Sequence, residues 1–221
     1  MSKNFVERRC KFENCELEDV KLIEEMFNNE ISDFYQELNY PQFYKDFEVT
    51  SQKLLEIIQT KFDLSIKETI LKMSLVHAFT AMETFFFNAL IVLLRQHPEY
   101  IYKTLTCLGC SRKDIDVNNQ HLTKIIIQEM AWKSYQKPEK ISEIYAIIGI
   151  QTENYAELSE YLQIRNDIVH RNGKNKSGKK IKFSRRRLID CMKEIRFFVD
   201  HVEREIQKLN MKSADATKEQ F

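Results

Sequence analysis

The scarcity of helix-breaking residues is the feature that most constrains how this chain can fold. Its 221 residues include four glycines and three prolines. Because these two residues destabilise a helix interior more than any others, a chain with so few of them is suited to long helices. Apolar and polar residues almost never alternate as they do in strands. The sequence therefore predicts an all-α fold, an antiparallel helical bundle with an N-terminal helical extension.

Apolar residues spaced three and four positions apart indicate where the helices lie. The longest helix is expected to open at a capping box, Ser65–Glu68, and to end near residue 97, because Pro98 follows. Asn172 and Gly173 are expected to end a later helix, and Ser184 to cap the last one. The other predicted helices cover residues 17–38, 47–62, 120–134, 139–149 and 155–172, and the last one reaches about residue 209.

These patterns divide the chain into three regions. We expect residues 1–60 to form the N-terminal helical extension, residues 61–210 the main bundle, and the polar residues 211–221 a disordered tail. The N-terminus lacks the apolar core of a signal peptide. The most apolar run, residues 85–94, is shorter than the ~20 residues that span a bilayer. We therefore predict a cytoplasmic protein with no membrane partner.

The five cysteines include one pair with the spacing of half a zinc site. Cys107 and Cys110 form this Cys-x-x-Cys pair, and a structural zinc site needs two further ligands. The residues that could supply them are Cys10, Cys15, His97 and His121. No second Cys-x-x-Cys pair is present, so reduced, partly buried thiols are the alternative that we expect. The sequence predicts neither a catalytic metal nor another cofactor.

A basic segment at residues 171–187 dominates the charge distribution. It contains nine Lys or Arg and no acidic residue, and because the chain has a net charge of +1, the remaining residues sum to about −8. Three of its arginines lie in the first turn of the last helix, where cations oppose the helix dipole unless an anion binds there. The segment therefore predicts binding of a polyanion, with a solvated cationic surface as the alternative. Its cations are Arg171, Lys174, Lys176, Lys179, Lys180, Lys182, Arg185, Arg186 and Arg187.

On the helix before the basic segment, Arg165 lies where an apolar residue is expected. With 100° per residue and Leu158 at 0°, the apolar arc runs from about 240° through 0° to 40°, and Arg165 falls at about 340°. Asn166 and His170 lie along its edge, at about 80° and 120°. Asp167, at about 180°, is expected to point away from the arc.

Glu83 occupies a similar position on the longest helix. It lies four residues after Phe79 and three before Phe86, within one apolar stripe. A buried guanidinium is costly unless an anion pairs with it. We therefore predict that Arg165 and Glu83 pair across a contact between two helices. Taken alone, such a pair is equally consistent with a purely structural role.

His170 adds a group that can transfer a proton. It lies in the last turn of its helix, where the dipole favours the protonated imidazole, whereas the basic segment that follows disfavours it. Histidine can move the proton of a ribose hydroxyl, and arginine can stabilise charge on a phosphate. Together with the basic segment, these groups suit phosphodiester chemistry. The alternative for His170 is a helix cap or a solvated side chain.

The residues Arg165 to His170 resemble the motif of the HEPN family. That motif is an arginine, a spacer of four to six residues and a histidine, and the residue after the arginine, here Asn166, is often polar. The resemblance covers roughly residues 66–209. It implies a helical bundle in which the motif lies near the end of the penultimate long helix, followed by a loop and a last long helix.

The resemblance implies a metal-independent endoribonuclease of a toxin or antiviral defence system. Attack by the 2′-hydroxyl would leave a cyclic phosphate. Arg165 would stabilise the phosphate, His170 would be the acid or base, and Asn166 would orient them, with Glu83 and Asp167 as supporting residues. The nine cations of the basic segment would bind RNA.

The implied partners are RNA, a second copy of the chain in a homodimer, and a protein inhibitor or activator. In one branch of the family, which pairs with a nucleotidyltransferase antitoxin, a tyrosine lies two residues after the histidine. Asn172 occupies that position here, so we do not expect that partner. The alternative function is a non-catalytic helical module of the same fold that binds RNA or a protein.

Overall fold

The structure is a computed structural model that describes residues 40–97, 100, 103–104, 137–152 and 156–218. Within these residues it contains five helices and no strand, which confirms the all-α prediction. The helices are α1 (Tyr40–Gln59), α2 (Leu64–Gln96), α3 (Pro138–Ile147), α4 (Ala156–His170) and α5 (Arg185–Lys218). The helices predicted over residues 17–38 and 120–134 lie outside the described residues.

The chain divides into two compact units. One consists of Met1–Leu38 and Leu90–Lys133, and its described part is mainly the buried last turns of α2. The other consists of Asn39–Ala89 and Ser134–Phe221 and contains α1, most of α2, α3, α4 and α5. The contacts that concern the candidate site all lie within this second unit.

Aromatic side chains from three helices form the centre of the core in the second unit. The ring of Phe86 in α2 lies 4.7 Å from that of Phe198 in α5 and 5.6 Å from that of Tyr145 in α3. The Tyr145 hydroxyl donates a hydrogen bond to the Phe86 carbonyl at 2.8 Å. This bond satisfies the polar end of a fully buried ring. The cluster therefore ties α3 and α5 to α2.

Contacts between α1 and α5 show that these two helices are antiparallel. The Tyr44 hydroxyl, near the start of α1, donates to Asp200 in α5 at 2.8 Å. Beyond the other end of α1, the Thr60 carbonyl accepts a hydrogen bond of 3.0 Å from Arg185, the first residue of α5. Because the residue numbers run in opposite directions, the start of α5 lies beside the end of α1.

Helix α1 begins at Tyr40 rather than at the predicted residue 47. A proline, Pro41, is tolerated there because N–H groups in the first turn have no partner within the helix. Phe43, Phe47 and other residues on one face of α1 are buried. Helix α1, which lies within the predicted N-terminal extension 1–60, belongs to the same compact unit as α5.

The capping residue of α2 is Asp63, and the capping box predicted at Ser65 was wrong. Asp63 Oδ1 accepts a hydrogen bond of 2.9 Å from the Ser65 backbone N–H, and this bond lowers the pKa of the Asp63 carboxyl. Aspartate is as good an N-cap as serine, so local sequence offered two starts. At its other end α2 stops at Gln96, two residues before Pro98, as predicted.

Helix α5 continues to Lys218, beyond the predicted end near residue 209. The tail predicted as disordered over residues 211–221 is thus helical for most of its length. Lysine and alanine, which favour helices, each occur twice in this stretch, and a helix can extend past its last buried residue when propensity is sufficient. Residues 219–221 lie outside the described residues.

Part of α2 is long and apolar enough to cross a membrane by length and composition. Within the stretch Ser65–Leu94, an 18-residue window has a mean hydropathy of 1.5, and 56% of that window is buried inside the protein. The core helix of a bundle has the same properties, so this stretch is weak evidence for a membrane span. It is longer than the apolar run at 85–94 that the sequence analysis considered.

Candidate functional site

Helices α2 and α4 bring Arg165 and Glu83 together. Arg165 is 8% exposed although it carries a charge. Its Nη2 lies 3.7 Å from Glu83 Oε1, and its Nη1 donates a hydrogen bond of 3.1 Å to Asn166 Oδ1. The predicted pair is therefore present, as an ion pair at a separation beyond that of a hydrogen bond. It explains how the apolar face of α4 accommodates a guanidinium.

Burial dominates the electrostatics of this pair. Desolvation raises the pKa of Glu83 above its ordinary value, and the positive charge of Arg165 offsets only part of that effect. Neither Glu83 Oε1 nor Arg165 Nε has a hydrogen-bond partner among the described residues. The guanidinium thus retains an unpaired donor at Nε, and this atom is buried.

Asp167 is buried, whereas the sequence analysis expected it to point away from the core. It is 4% exposed and accepts a hydrogen bond of 3.0 Å from Gln163 and an ion-pair contact from Arg171. Its backbone carbonyl accepts the N–H groups of Arg171 and Gly173. The chain beyond α4 therefore folds back over Asp167. A helical wheel cannot include this effect, because the covering residues lie outside the helix.

His170 is the last residue of α4 and is exposed to solvent. Two residues later, Asn172 adopts a φ of 50°, and Gly173 a φ of 72°, both in the left-handed region. The Gly173 N–H donates a hydrogen bond of 3.0 Å to the Asp167 carbonyl, so these two left-handed residues turn the chain back over the end of the helix. The predicted stop at Asn172 and Gly173 is confirmed.

A single chain does not place Arg165 and His170 at the same point. Five residues separate them on α4, which corresponds to ~7.5 Å along the axis and ~140° around it. Arg165 is buried towards α2, whereas His170 is exposed. One copy therefore lacks the geometry for both side chains to contact one phosphate.

The basic segment begins with an ordered hairpin-like turn. Lys174 and Lys180 form an isolated antiparallel bridge, and Ile181 N–H donates to the Gly173 carbonyl at 2.8 Å. The Asn175 side chain accepts hydrogen bonds from the backbone N–H groups of Ser177 and Lys179, at 3.1 and 2.9 Å. The lysines of this turn are therefore held at defined positions beside the end of α4. Sequence analysis had described this stretch only as a loop.

Five of the nine predicted RNA-binding cations have partners in the protein. Arg171 pairs with Asp167, Lys180 with Glu68 at 3.5 Å, Arg187 with Glu160 at 2.5 Å, Arg186 with Asp190 at 4.0 Å, and Arg185 donates to the Thr60 carbonyl. The four others, Lys174, Lys176, Lys179 and Lys182, are exposed and make no ion pair with the described residues. These four lysines are the cations most available to a polyanion.

Protein contacts account for much of the charge at the start of α5. Ser184 caps this helix as predicted, because its Oγ accepts a hydrogen bond of 3.2 Å from Arg187 N–H. Arg185 and Arg187 each have a partner on another part of the chain. The Glu160 carboxylate offsets the charge of Arg187, and the contact with Thr60 fixes Arg185, so part of the unfavourable interaction with the helix dipole is compensated within the protein.

Sequence analysis missed two residues that support the site. Gln163 orients Asp167, and Lys72 of α2 lies so close to Gly173 that a Cβ there would be 3.0 Å from its Nζ. In the sequence, Lys72 could have been identified from its i, i+4 spacing to Glu68, with which it forms an ion pair.

The predicted half zinc site, Cys107 and Cys110, lies outside the described residues. Within the described residues, no group of three or more possible ligands could hold a metal ion.

Comparison with models of protein families, with curated proteins and with solved structures finds no match to this chain.

Proposed function

We propose that this protein is a metal-independent endoribonuclease of a toxin or antiviral defence system. His170 removes the proton of a ribose 2′-hydroxyl or protonates the leaving oxygen, and Arg165 stabilises the negative charge of the phosphate. The attacking 2′-oxygen forms a bond to phosphorus as the bond to the 5′-oxygen breaks. The products are a 2′,3′-cyclic phosphate and a 5′-hydroxyl end.

The observation that carries this proposal is the placement of three kinds of group along the second half of α4 and directly after it. A guanidinium with an unpaired donor, at Arg165, lies on the same helix as the exposed imidazole of His170. Unpaired lysines follow within a few residues, on a turn that is held in place. Positioned cations beside a proton-transfer group match what phosphodiester cleavage requires. The resemblance of Arg165 to His170 to the HEPN motif supports the same reaction.

The direct test is incubation of the purified protein with a labelled single-stranded RNA in the presence of EDTA. We expect cleavage to persist, because no step requires a divalent metal. The downstream products should accept phosphate from a polynucleotide kinase without prior dephosphorylation, because their 5′ ends are hydroxyls. Loss of cleavage in EDTA, or 5′-phosphate ends, would contradict the proposed mechanism.

The separation of Arg165 and His170 on α4 leads to a prediction about assembly. A two-fold dimer can bring Arg165 or His170 of a second copy into the same cleft, which a single copy cannot do. We therefore expect a homodimer whose interface includes residues near 162–172, where Val169 is 46% exposed. Sedimentation should show the dimer, and Val169→Asp should shift it to monomer and reduce cleavage in parallel. A monomer with full activity would rule out a composite site.

The unpaired lysines lead to a prediction about salt dependence. Each phosphate contact contributes ~0.7 to the slope of log K against log salt for single strands. Replacing Lys176, Lys179 and Lys182 with Gln should therefore flatten the slope by up to ~2 and weaken binding to all sequences alike.

The matched control for this experiment is a triple variant with three exposed lysines from α1 and α5 replaced by Gln. These residues are Lys45, Lys53 and Lys193. The control should leave the slope unchanged, because its lysines lie outside the basic segment. Equal slopes for both triple variants would mean that the basic segment is a solvated surface.

One observation favours the second candidate function, a non-catalytic helical module that binds RNA or a protein. The Arg165 side chain is 10% exposed, so a phosphate has little access to it in a single chain. If this function is correct, wild-type protein should bind RNA without cleaving it under any condition, and His170→Ala should bind equally well.

A further inference from the structure

We propose that a cleft between α1, α2 and the end of α4 binds an acidic amphipathic helix of a partner protein. The cleft has a volume of about 1030 Å³. Along α2 it extends from Ser65 to Thr80, a length of ~22 Å at 1.5 Å per residue. That length matches a helix of about four turns. All of its lining residues belong to the second compact unit.

The floor of the cleft is aliphatic and exposed. Met73 is 66% exposed and Ile57 is 40% exposed, and half-buried Ile168 of α4 lies beside them. Exposed apolar residues grouped in a groove are typical of sites where the apolar face of a helix docks, and methionine adapts well to such partners. None of the described lining residues is Phe, Tyr or Trp, and the one aromatic ring among them is the imidazole of His77. Because bases stack best on aromatic rings, the composition favours a peptide over single-stranded RNA.

The charges around the cleft determine the chemistry of the partner. Lys72, Lys174 and Lys180 line it, and Glu68 is the one acidic residue among the described lining residues. Glu68 is engaged by two of these lysines, at 2.6 Å from Lys72 and 3.5 Å from Lys180. The lining therefore has a positive excess beside an aliphatic floor. A helix with apolar residues on one face and Asp or Glu along its edges complements both features.

Because the cleft overlaps the basic segment, a helix bound in the cleft affects the surface proposed to bind RNA. Lys174 and Lys180 belong both to the cleft and to the basic segment, and Asn172 lines the cleft two residues after His170. A helix bound there covers part of the surface that RNA would use. This regulatory consequence rests on the proposed function, whereas helix binding itself does not, so the experiment measures binding without RNA.

The probes are three fluorescein-labelled peptides of about 15 residues, the length that spans the cleft. The first carries Leu at spacings of three and four and Glu at the remaining positions. The second has Lys in place of every Glu, and the third has the composition of the first in an order that removes the apolar stripe. Fluorescence anisotropy with the full chain should show binding of the first peptide at least about tenfold tighter than of the other two.

Paired substitutions on the protein locate the binding. Met73→Asp and Ile57→Asp should each weaken binding of the acidic peptide about tenfold or more. Val49→Asp is the control, because Val49 is 45% exposed on the same helix as Ile57 but outside the cleft. All three positions are exposed, so circular dichroism should show unchanged helicity. Lys174→Gln should weaken binding, and the exposed Lys193→Gln on α5 should not.

Three outcomes would overturn the inference. The first is that the acidic peptide binds no tighter than the charge-inverted or the reordered peptide. The second is that the Met73→Asp protein binds the acidic peptide as tightly as the Val49→Asp protein does. Alternatively, no peptide binds, and a labelled single-stranded RNA loses affinity in Met73→Asp but not in Val49→Asp, which would assign the cleft to RNA. Cleavage of RNA by the wild type would leave the proposed function intact in each of these cases.

Discussion

His170→Ala should reduce RNA cleavage by at least ~100-fold, because a positioned general acid or base contributes ~10²–10⁴ to rate. Its melting temperature should stay close to that of wild type. The imidazole is exposed and makes no hydrogen bond with the described residues, so its removal leaves no cavity and no unpaired group. Initial rates on one labelled single-stranded RNA, in EDTA, would measure the first effect, and thermal unfolding the second.

Lys193→Ala is the control for this loss of activity. Lys193 is an exposed cation on α5 outside the basic segment, so its removal tests whether any loss of surface charge lowers cleavage. Its rate should equal that of wild type. RNA binding by His170→Ala should also persist, because the unpaired lysines remain. Cleavage that survives in His170→Ala would exclude His170 from the chemistry.

Glu83→Ala should lower the free energy of unfolding by ~2–3 kcal/mol at neutral pH. Removing one partner of a buried ion pair typically costs ~3–5 kcal/mol, because the other charge remains buried and unpaired. We expect a smaller loss here because the atoms are 3.7 Å apart and the Glu83 side chain is 18% exposed. Urea unfolding at pH 7 would measure it. Cleavage should also fall, because the guanidinium of Arg165 loses one of the two contacts that orient it.

Glu83→Gln should cost less, under ~1 kcal/mol, because the amide oxygen can still accept a hydrogen bond. The pH dependence of the difference from wild type follows from the raised pKa of Glu83. The stability that goes with a raised carboxyl pKa is fully present below the ordinary pKa and is lost as pH rises through the folded-state pKa. Wild type should therefore gain stability over Glu83→Gln as the pH is lowered towards 4.

Thr84→Ala is the matched control for both Glu83 variants. Thr84 is the exposed neighbour of Glu83 on α2, so a change there tests the effect of altering the helix surface alone. Its stability should be within ~0.5 kcal/mol of wild type. A Glu83→Ala protein as stable as Thr84→Ala would mean that the contact with Arg165 contributes nothing to the fold.

Local features of the site were predictable because they depend on neighbouring residues. The ends of α4 and α5 at Gly173 and Ser184 follow from backbone hydrogen bonds within a few residues. The wrong cap for α2 shows the limit of such reasoning, since Asp63 and Ser65 are both good caps. The residues near a helix end identify possible capping residues, and contacts elsewhere in the fold determine which of them caps the helix.

The pairing of Arg165 with Glu83 was predictable although these residues are far apart in the sequence. Each places a charge within an apolar stripe, and the cost of leaving either unpaired makes a contact between them favourable. The separation of 3.7 Å and the hydrogen bond to Asn166 were not predictable. They depend on the packing of α2 against α4, which sequence periodicity does not define to within an ångström.

The sequence by itself determined the helices, the stripe that pairs Arg165 with Glu83, and the motif that ends at His170. Only the tertiary structure decided which side chains near the end of α4 are buried by other parts of the chain. Asp167 is buried although the helical wheel places it outside the apolar arc, and Val169 is exposed although its angle of about 20° lies inside the arc. A wheel assumes one covered face along the whole helix, whereas the chain beyond α4 folds over Asp167 and leaves Val169 in solvent. The positions of these covering residues depend on contacts between segments that are distant in the sequence.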